Sequence, residues 1–431
     1  MISLYYNICK SLYLLYHNVT KTHIDKIQLD TMICSFHKSG CLFIKMIQWI
    51  LSRIYTVDID ENLKQSIETF YDQCYIHSED YTRSIFEMEC GYALSTKYEL
   101  LDILGSGSMG QVYKVKHKKT GKLYALKVLH PQLHKQFRAF SSLFWIVERF
   151  CDIRKYVPLL EFDKFFEGLR LQMDLRNEAN FLLEFRQIHD NSLYIIPELV
   201  HVTENTMVMT YLPSESKDSL SEYKITSIFF KLILYNLVGC YHGICHGDLH
   251  KGNWGYQKDK LIIYDFGYCV RYDPIEFKVV EKLVLSKGKS KNLSELIQIL
   301  CKHNCRDESA VTRYLDHFKN TLNDEDILLD KLLENLFEFT IQEKLYLTSD
   351  SFNALITCSN IENMMDHSVV FSERSDINEY ITGELIDLCD SYDIFPEFKN
   401  YLKSTYPRYM DQTILTFDFE NLKSTIKDKQ S

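Results

Sequence analysis

The hydrophobic period changes along the chain, and each change marks a different kind of element. Over residues 1–95, apolar side chains recur at mixed three- and four-residue spacing with almost no Gly or Pro, which predicts helices. From 96 to about 130 the pattern shortens to that of strands. Residues 99–104 form one strand-like run, and Gln111-Val112-Tyr113-Lys114-Val115 alternates polar with branched or aromatic side chains. Residues 123–129 are almost wholly apolar apart from Lys127. A helical insertion is expected over about 131–170, with Phe140, Leu143, Phe144, Ile146, Val147 and Phe150 as its apolar face. Leu175, Ala179 and Leu182 then fall at i, i+4 and i+7, the signature of another helix. Residues 195–202 and 206–211 read as two strands about a turn at Glu204-Asn205. The remainder is mainly helical, ending in a polar tail over 423–431 that is expected to fray.

This order predicts an α+β chain in four parts. A helical extension (1–95) precedes a small mixed lobe (96–212, with the insertion). A larger, mostly helical lobe (213–345) and a helical extension (346–431) follow.

The chemistry gathers around the strands. Gly105-Ser106-Gly107-Ser108-Met109-Gly110 lies between two of them, so it closes a hairpin. A dinucleotide fingerprint needs a helix after the glycines, which excludes that reading. Glycines here let backbone approach phosphate oxygens where a side chain would intrude. Lys127, seventeen residues beyond Gly110, sits mid-strand, where a bare ammonium is costly. Its expected role is a clamp on the α- and β-phosphates, and its expected partner is Glu178, on the core side of the Leu175 helix. Val112, Ala125, Met209 and Tyr211 complete the expected nucleotide lining, and Leu212-Pro213 is the expected hinge.

Residues 246–253 read His-Gly-Asp-Leu-His-Lys-Gly-Asn, and Asp265-Phe266-Gly267 begins twelve residues after Asn253. Phosphoryl transfer needs a carboxylate at the attacking oxygen and oxygen ligands that hold magnesium on the phosphates. A protein-kinase catalytic loop supplies these as H-x-D-L-x-x-x-N followed by D-F-G. Asp248 takes the base position, and Asn253 and Asp265 the two metal positions. The expected assembly is a protein-kinase-like bilobal fold that uses ATP and Mg2+.

The segments together resemble the UbiB-type, or aarF-domain-containing, atypical kinases. Residues 43–49, with Lys45 and Gln48, are similar to that family's K-x-G-Q motif; residues 108–113 resemble its S-I-G-Q-V loop end, and residues 126–131 its V-K-V-x-H-P run. Residues 172–179 resemble its E-x-D-x-x-x-E-A segment. Three positions depart: Ile47 replaces the motif glycine, Gln172 replaces the first acid, and a Gly-x-Gly-x-x-Gly loop replaces an alanine-rich one. The resemblance implies that the Lys45 segment folds over the active site, with its lysine paired to the remaining acid, Asp174. It also implies regulatory roles for Lys45, Gln48 and Asp174, and a link to lipid or isoprenoid-quinone metabolism.

Composition narrows the partners. A net charge of −10 argues against nucleic acid as the main partner. The basic run at 282–291 reads as a solvated loop, with peripheral membrane association as its alternative use. The 13 irregularly spaced cysteines and the lack of a basic start read as an intracellular chain of unassigned compartment. Residues 225–245 are the most apolar stretch, interrupted by Lys231, and read as a buried helix rather than a transmembrane one. Cys301-Lys302-His303-Asn304-Cys305 is half a metal site with no second half. The trio His242, His246 and His250 is broken by Gly243 and Gly247.

The acceptor stays open between lipid, small molecule and protein. A small-molecule kinase of the aminoglycoside or choline type shares the 246–253 motif, but the Phe-Gly after Asp265 and the Lys45 segment count against it. An ordinary Ser/Thr protein kinase would carry A-P-E after the D-F-G, and none follows. A non-catalytic nucleotide-binding scaffold would not need every catalytic position filled, as it is here.

Overall fold

A computed structural model describes residues 2–18, 24–51, 76–150, 162–189, 193–216, 222–250 and 252–271, with isolated residues at 63, 220, 309, 312, 313 and 316. The expectations for 346–431, for the basic run at 282–291 and for Cys301 to Cys305 lie outside the described residues.

The N-terminal helices are α1 (Ile2–Asn18), α2 (Lys26–Ser39) and α3 (Cys41–Leu51). The Asp25 carboxylate caps α2 by accepting from the Gln28 amide at 2.9 Å. Gly40, at φ +92, turns the chain directly into α3. α3 is apolar nearly all round, and Leu42, Phe43, Ile44, Met46 and Ile47 are buried. Phe43 meets Phe36 and Phe140, and Trp49 meets Phe165 at 4.4 Å between ring centres. This packing fixes the face that carries Lys45 and Gln48. Helices α4 (Glu79–Cys90) and α5 (Leu94–Lys97) follow; α4 ends on Gly91 in the left-handed region.

Strands β1 (Tyr98–Ser106), β2 (Gly110–His117) and β3 (Leu123–Leu129) continue into helices α6 (Leu133–Phe150) and α7 (Phe162–Gln172). Helix α8 (Leu175–Ile188) comes next, then β4 (Tyr194–Ile195), β5 (Leu199–Val202) and β6 (Thr206–Thr210). Five of these strands form an antiparallel sheet in the order β1-β2-β3-β6-β5. One face packs Tyr98, Tyr113, Val115, Leu126, Val128 and Val208 against Phe86 of α4. Each large apolar side chain so buried contributes about 1.5–3 kcal/mol. The period of two sends alternate residues to the other face. Val112 lies opposite Lys127 and Ala125 opposite Met209, so these four share it.

The run at 195–202 is not one strand. Ile195 pairs in parallel with Ile262, whereas Leu199 pairs with Met209 in the larger sheet. Pro197, which lacks an N–H for either ladder, stands at the break.

Helix α9 (Glu222–Tyr241) stops before Gly243, at φ +77, so His242, His246 and His250 do not share a helical face. Strand β7 (Ile244–His246) pairs with β10 (Cys269–Arg271), and β8 (Trp254–Gln257) with β9 (Lys260–Ile263). Register opposes His246 to Cys269, which brings the loop after His246 beside the Asp-Phe-Gly turn. Phe266 is fully buried, 5.5 Å from the Phe185 ring of α8, which itself stacks on Tyr235 at 5.3 Å. Every residue of the site described next belongs to one compact unit. No described helix is long and apolar enough to cross a membrane.

Candidate active site

Residues from the glycine hairpin, β3, α8, α3, the 248–253 loop and Asp265 line one cavity of about 360 Å³. At the hairpin, the Gly107 N–H donates to Gly110 O at 3.0 Å. A Cβ on Gly110 would lie 2.7 Å from the Val128 carbonyl oxygen, so the strand crossing demands glycine there. A Cβ on Gly105 would meet nothing within 4 Å. The fold does not need that glycine; a ligand lying against the hairpin would.

Lys127 Nζ donates to both Glu178 oxygens at 2.8 Å and to Asp265 Oδ2 at 3.1 Å. The first pair is almost wholly enclosed, with side-chain exposures of 7% and 4%. Burial pulls the ammonium's pKa down, but Asp265 and Glu178 together raise it above its ordinary value, so Lys127 stays charged. Asp265 is held below the usual carboxylate range: burial works against this, and Lys127 and the Gly267 amide outweigh it. Burial raises Glu178 to about 7, with the Asp265 charge adding to the rise and Lys127 opposing it.

His246 orders the loop that follows it. Its Nε2–H donates to the Asp265 carbonyl at 2.5 Å, and its Nδ1 accepts from the Asp248 amide at 3.3 Å. These contacts specify a neutral ring, and burial holds its pKa below normal. The Asn253 amide donates to the Asp248 carbonyl at 2.7 Å, which leaves Asn253 Oδ1 as the atom able to ligate a cation.

Lys45 Nζ lies 2.7 Å from Asp248 Oδ2. The segment thus reaches the active site, but its lysine does not pair with Asp174, as the resemblance implied. Asp174 caps α8 through the Arg176 amide, and its carboxylate is bound by the Arg176 guanidinium at 2.7–3.1 Å. Arg176, two residues along, satisfies that charge locally. Gln48 is buried at the cavity wall, and its Nε2 has no partner among the described residues. An orphaned donor beside an open glycine and a free amide oxygen suits an anionic ligand with a cation.

Met209 is buried and Tyr211 lines the cavity. The Tyr264 hydroxyl donates to Leu212 O at 3.2 Å, tying the residue before Asp265 to the hinge. Sequence spacing placed Lys127, Glu178, Asp248, Asn253 and Asp265 together, and the structure does the same. It did not find the Lys45–Asp248 contact, the Tyr264 tie or the loop-ordering by His246. Only the three-residue spacing from Lys45 to Gln48, which puts the two on one helix face, carried any signal of the first.

The strand order, the lysine–glutamate pair and the loop preceding Asp265-Phe266-Gly267 define a protein-kinase-like fold. The chain belongs to the ABC1 atypical kinase-like domain family, whose model matches residues 69–298. It is 26% identical over 253 residues to a probable protein kinase UbiB of Vibrio cholerae, covering 54% of this chain and 45% of that one. It is 23% identical over 252 residues to an uncharacterized chloroplastic aarF domain-containing protein kinase of Arabidopsis thaliana, covering 54% and 35%. The chain therefore spans less than half the length of these curated relatives. Among solved structures, the complex of Rv3197 with erythromycin from Mycobacterium tuberculosis aligns at 16% identity and a TM-score of 0.44, over 68% of this chain and 84% of that one.

Proposed function

We propose that this chain is an ATP-dependent phosphotransferase or ATPase of the UbiB type. The observation that carries the reading is Lys127 Nζ held at once by Glu178 on α8 and Asp265 of the Asp-Phe-Gly turn. That arrangement presents one fixed cation where the α- and β-phosphates of a nucleotide would lie. Gly105, Gly107 and Gly110 form the roof over the phosphates. Val112, Ala125, Met209 and Tyr211 enclose the base, and Leu212 offers hinge backbone. Asn253 Oδ1 and the Asp265 carboxylate would hold magnesium, which supplies charge neutralisation on the phosphates when bound. Asp248 orients the acceptor hydroxyl or water and takes its proton. Its pKa sits below the normal range, since Lys45 and His250 outweigh burial, so the carboxylate is ionised and able to accept.

Lys45 occupies an Asp248 oxygen, which favours restrained turnover: the contact must break or shift before that oxygen can receive a proton. One assay sorts the acceptors. ATP hydrolysis and phosphate transfer are measured with no acceptor, with lipid vesicles and with a protein acceptor, for wild type and Asp248→Asn. Turnover lost in Asp248→Asn under every condition supports the assignment. Equal turnover in both would remove Asp248 from the reaction.

A further inference from the structure

A buried pair of histidines stands behind the glycine hairpin, outside the cavity just described. His130 follows β3 by one residue, three beyond Lys127. Its backbone N–H donates to Met109 O at 3.0 Å, and its ring Nε2 lies 2.9 Å from Gly107 O. One residue thus holds two carbonyls of the hairpin tip. Behind it, His130 Nδ1 lies 2.9 Å from His77 Nδ1. The far nitrogen of His77 meets the Thr82 hydroxyl of α4 at 2.9 Å, and the Tyr113 hydroxyl of β2 lies 2.9 Å from the same oxygen. The His77 N–H donates to Gln111 Oε1 at 3.0 Å. His77 and His130 are each 2% exposed, so bulk water does not compete for these contacts.

The chemistry fixes where the protons sit. A carbonyl oxygen only accepts, so His130 Nε2 carries the hydrogen. In the neutral ring Nδ1 is then bare, and His77 Nδ1 must donate to it. Burial keeps both rings neutral near pH 7, with pKa values of about 4. The consequence falls on the hairpin. In a trans peptide the C=O and the next N–H point in opposite directions. Drawing the Gly107 carbonyl back to His130 turns the Ser108 N–H the other way, toward the cavity that Gly107 and Ser108 line.

We propose that His130, buttressed by His77, is a positioning residue that presents the Ser108 amide of the hairpin to the phosphates of a nucleotide. This rests on the nucleotide reading above and goes beyond it by naming what sets the roof. A role in phosphate recognition has a signature that simple structural support lacks: phosphate-dependent affinity falls while nucleoside affinity does not.

The test is titration calorimetry of the full chain with Mg-ATP and with adenosine, comparing His130→Gln and His130→Asn. Gln places an amide donor near the position of Nε2 and can reach Gly107 O; Asn cannot. Both variants are polar and of similar size, so their thermal midpoints serve as the control for general damage. Asn is expected to bind Mg-ATP about tenfold more weakly than wild type, a difference of about 1.4 kcal/mol, with adenosine affinity unchanged. Gln is expected to stay within about threefold of wild type for both ligands. Equal Mg-ATP affinity in the two variants, or adenosine affinity falling in step, overturns the inference while the nucleotide reading stands. Wild type binding neither ligand overturns that reading first.

Discussion

Two lysine–carboxylate contacts lie in one cavity, and they are built differently. Lys127 is enclosed and makes three bonds to two carboxylates held on separate elements. Lys45 makes one bond to Asp248, with side-chain exposures of 15% and 23%. The first contact is framework: removing the lysine leaves two carboxylates facing each other without compensation, which is among the costliest changes a protein can suffer. The second is an occupant: removing it frees a carboxylate that water can reach. Exposure and bond number, not the kinds of residue involved, separate a contact that builds the site from one that restrains it.

The sharpest way to break this comparison is at Asp265, which belongs to the framework and to the proposed metal position. Asp265→Ala is expected to lower ATP turnover by about three orders of magnitude, because charge neutralisation in phosphoryl transfer is lost. Circular dichroism should show the fold retained; near-normal turnover would remove Asp265 from the chemistry.

Next comes the paired test of the two lysines. Lys127→Met is expected to destabilise the chain by about 3–5 kcal/mol in denaturant unfolding and to abolish turnover. Lys45→Met should cost under about 1 kcal/mol, as for a partly exposed pair, and should raise turnover by freeing Asp248. If both substitutions behaved alike in stability and rate, the distinction between framework and occupant would collapse.

A pH profile sharpens the framework half. Glu178 titrates at about 7 in the folded chain, above the unfolded carboxyl. Below that value it takes up a proton and weakens its hold on Lys127, so turnover should fall as pH drops through about 7. The sign for stability is opposite: a raised carboxyl pKa favours the folded state in acid, and this contribution fades as pH rises through about 7. Glu178→Gln should flatten both dependences relative to wild type. An unchanged acid limb in that variant would assign it to another group.

The smallest expected effect is at Gln48. Gln48→Ala removes a buried donor that has no partner among the described residues, so the ligand-free midpoint should hold or rise. Affinity for Mg-ATP should weaken by only a few fold. Loss of stability without loss of affinity would show that Gln48 serves the fold alone.

The legible and illegible parts of this molecule differ for physical reasons. Strand β2 and helix α8 were readable because one face of each is buried and imprints a period on the sequence, and β3 because burial on both faces makes it a continuous apolar run. The site residues were readable because the chemistry fixes their types and local spacing. Residues 195–202 misled because two short strands in different sheets share one apolar run, and only Pro197 marks the break. The Asp174 expectation failed because a nearby arginine satisfies an acid before a distant lysine can. The Lys45–Asp248 contact joins residues 203 apart, and no local pattern encodes a pairing at that distance. The histidine pair spans 53 residues and was equally silent in the sequence.

The central claim is that separate segments converge on one site for a nucleotide and its cation. Its most direct measurement is the affinity of wild type and Asp265→Asn for ATP, each titrated with and without magnesium by calorimetry. The account predicts that magnesium tightens binding to wild type at least about tenfold and leaves Asp265→Asn nearly unaffected. An equal magnesium effect in both proteins, or no ATP binding by wild type, would contradict it.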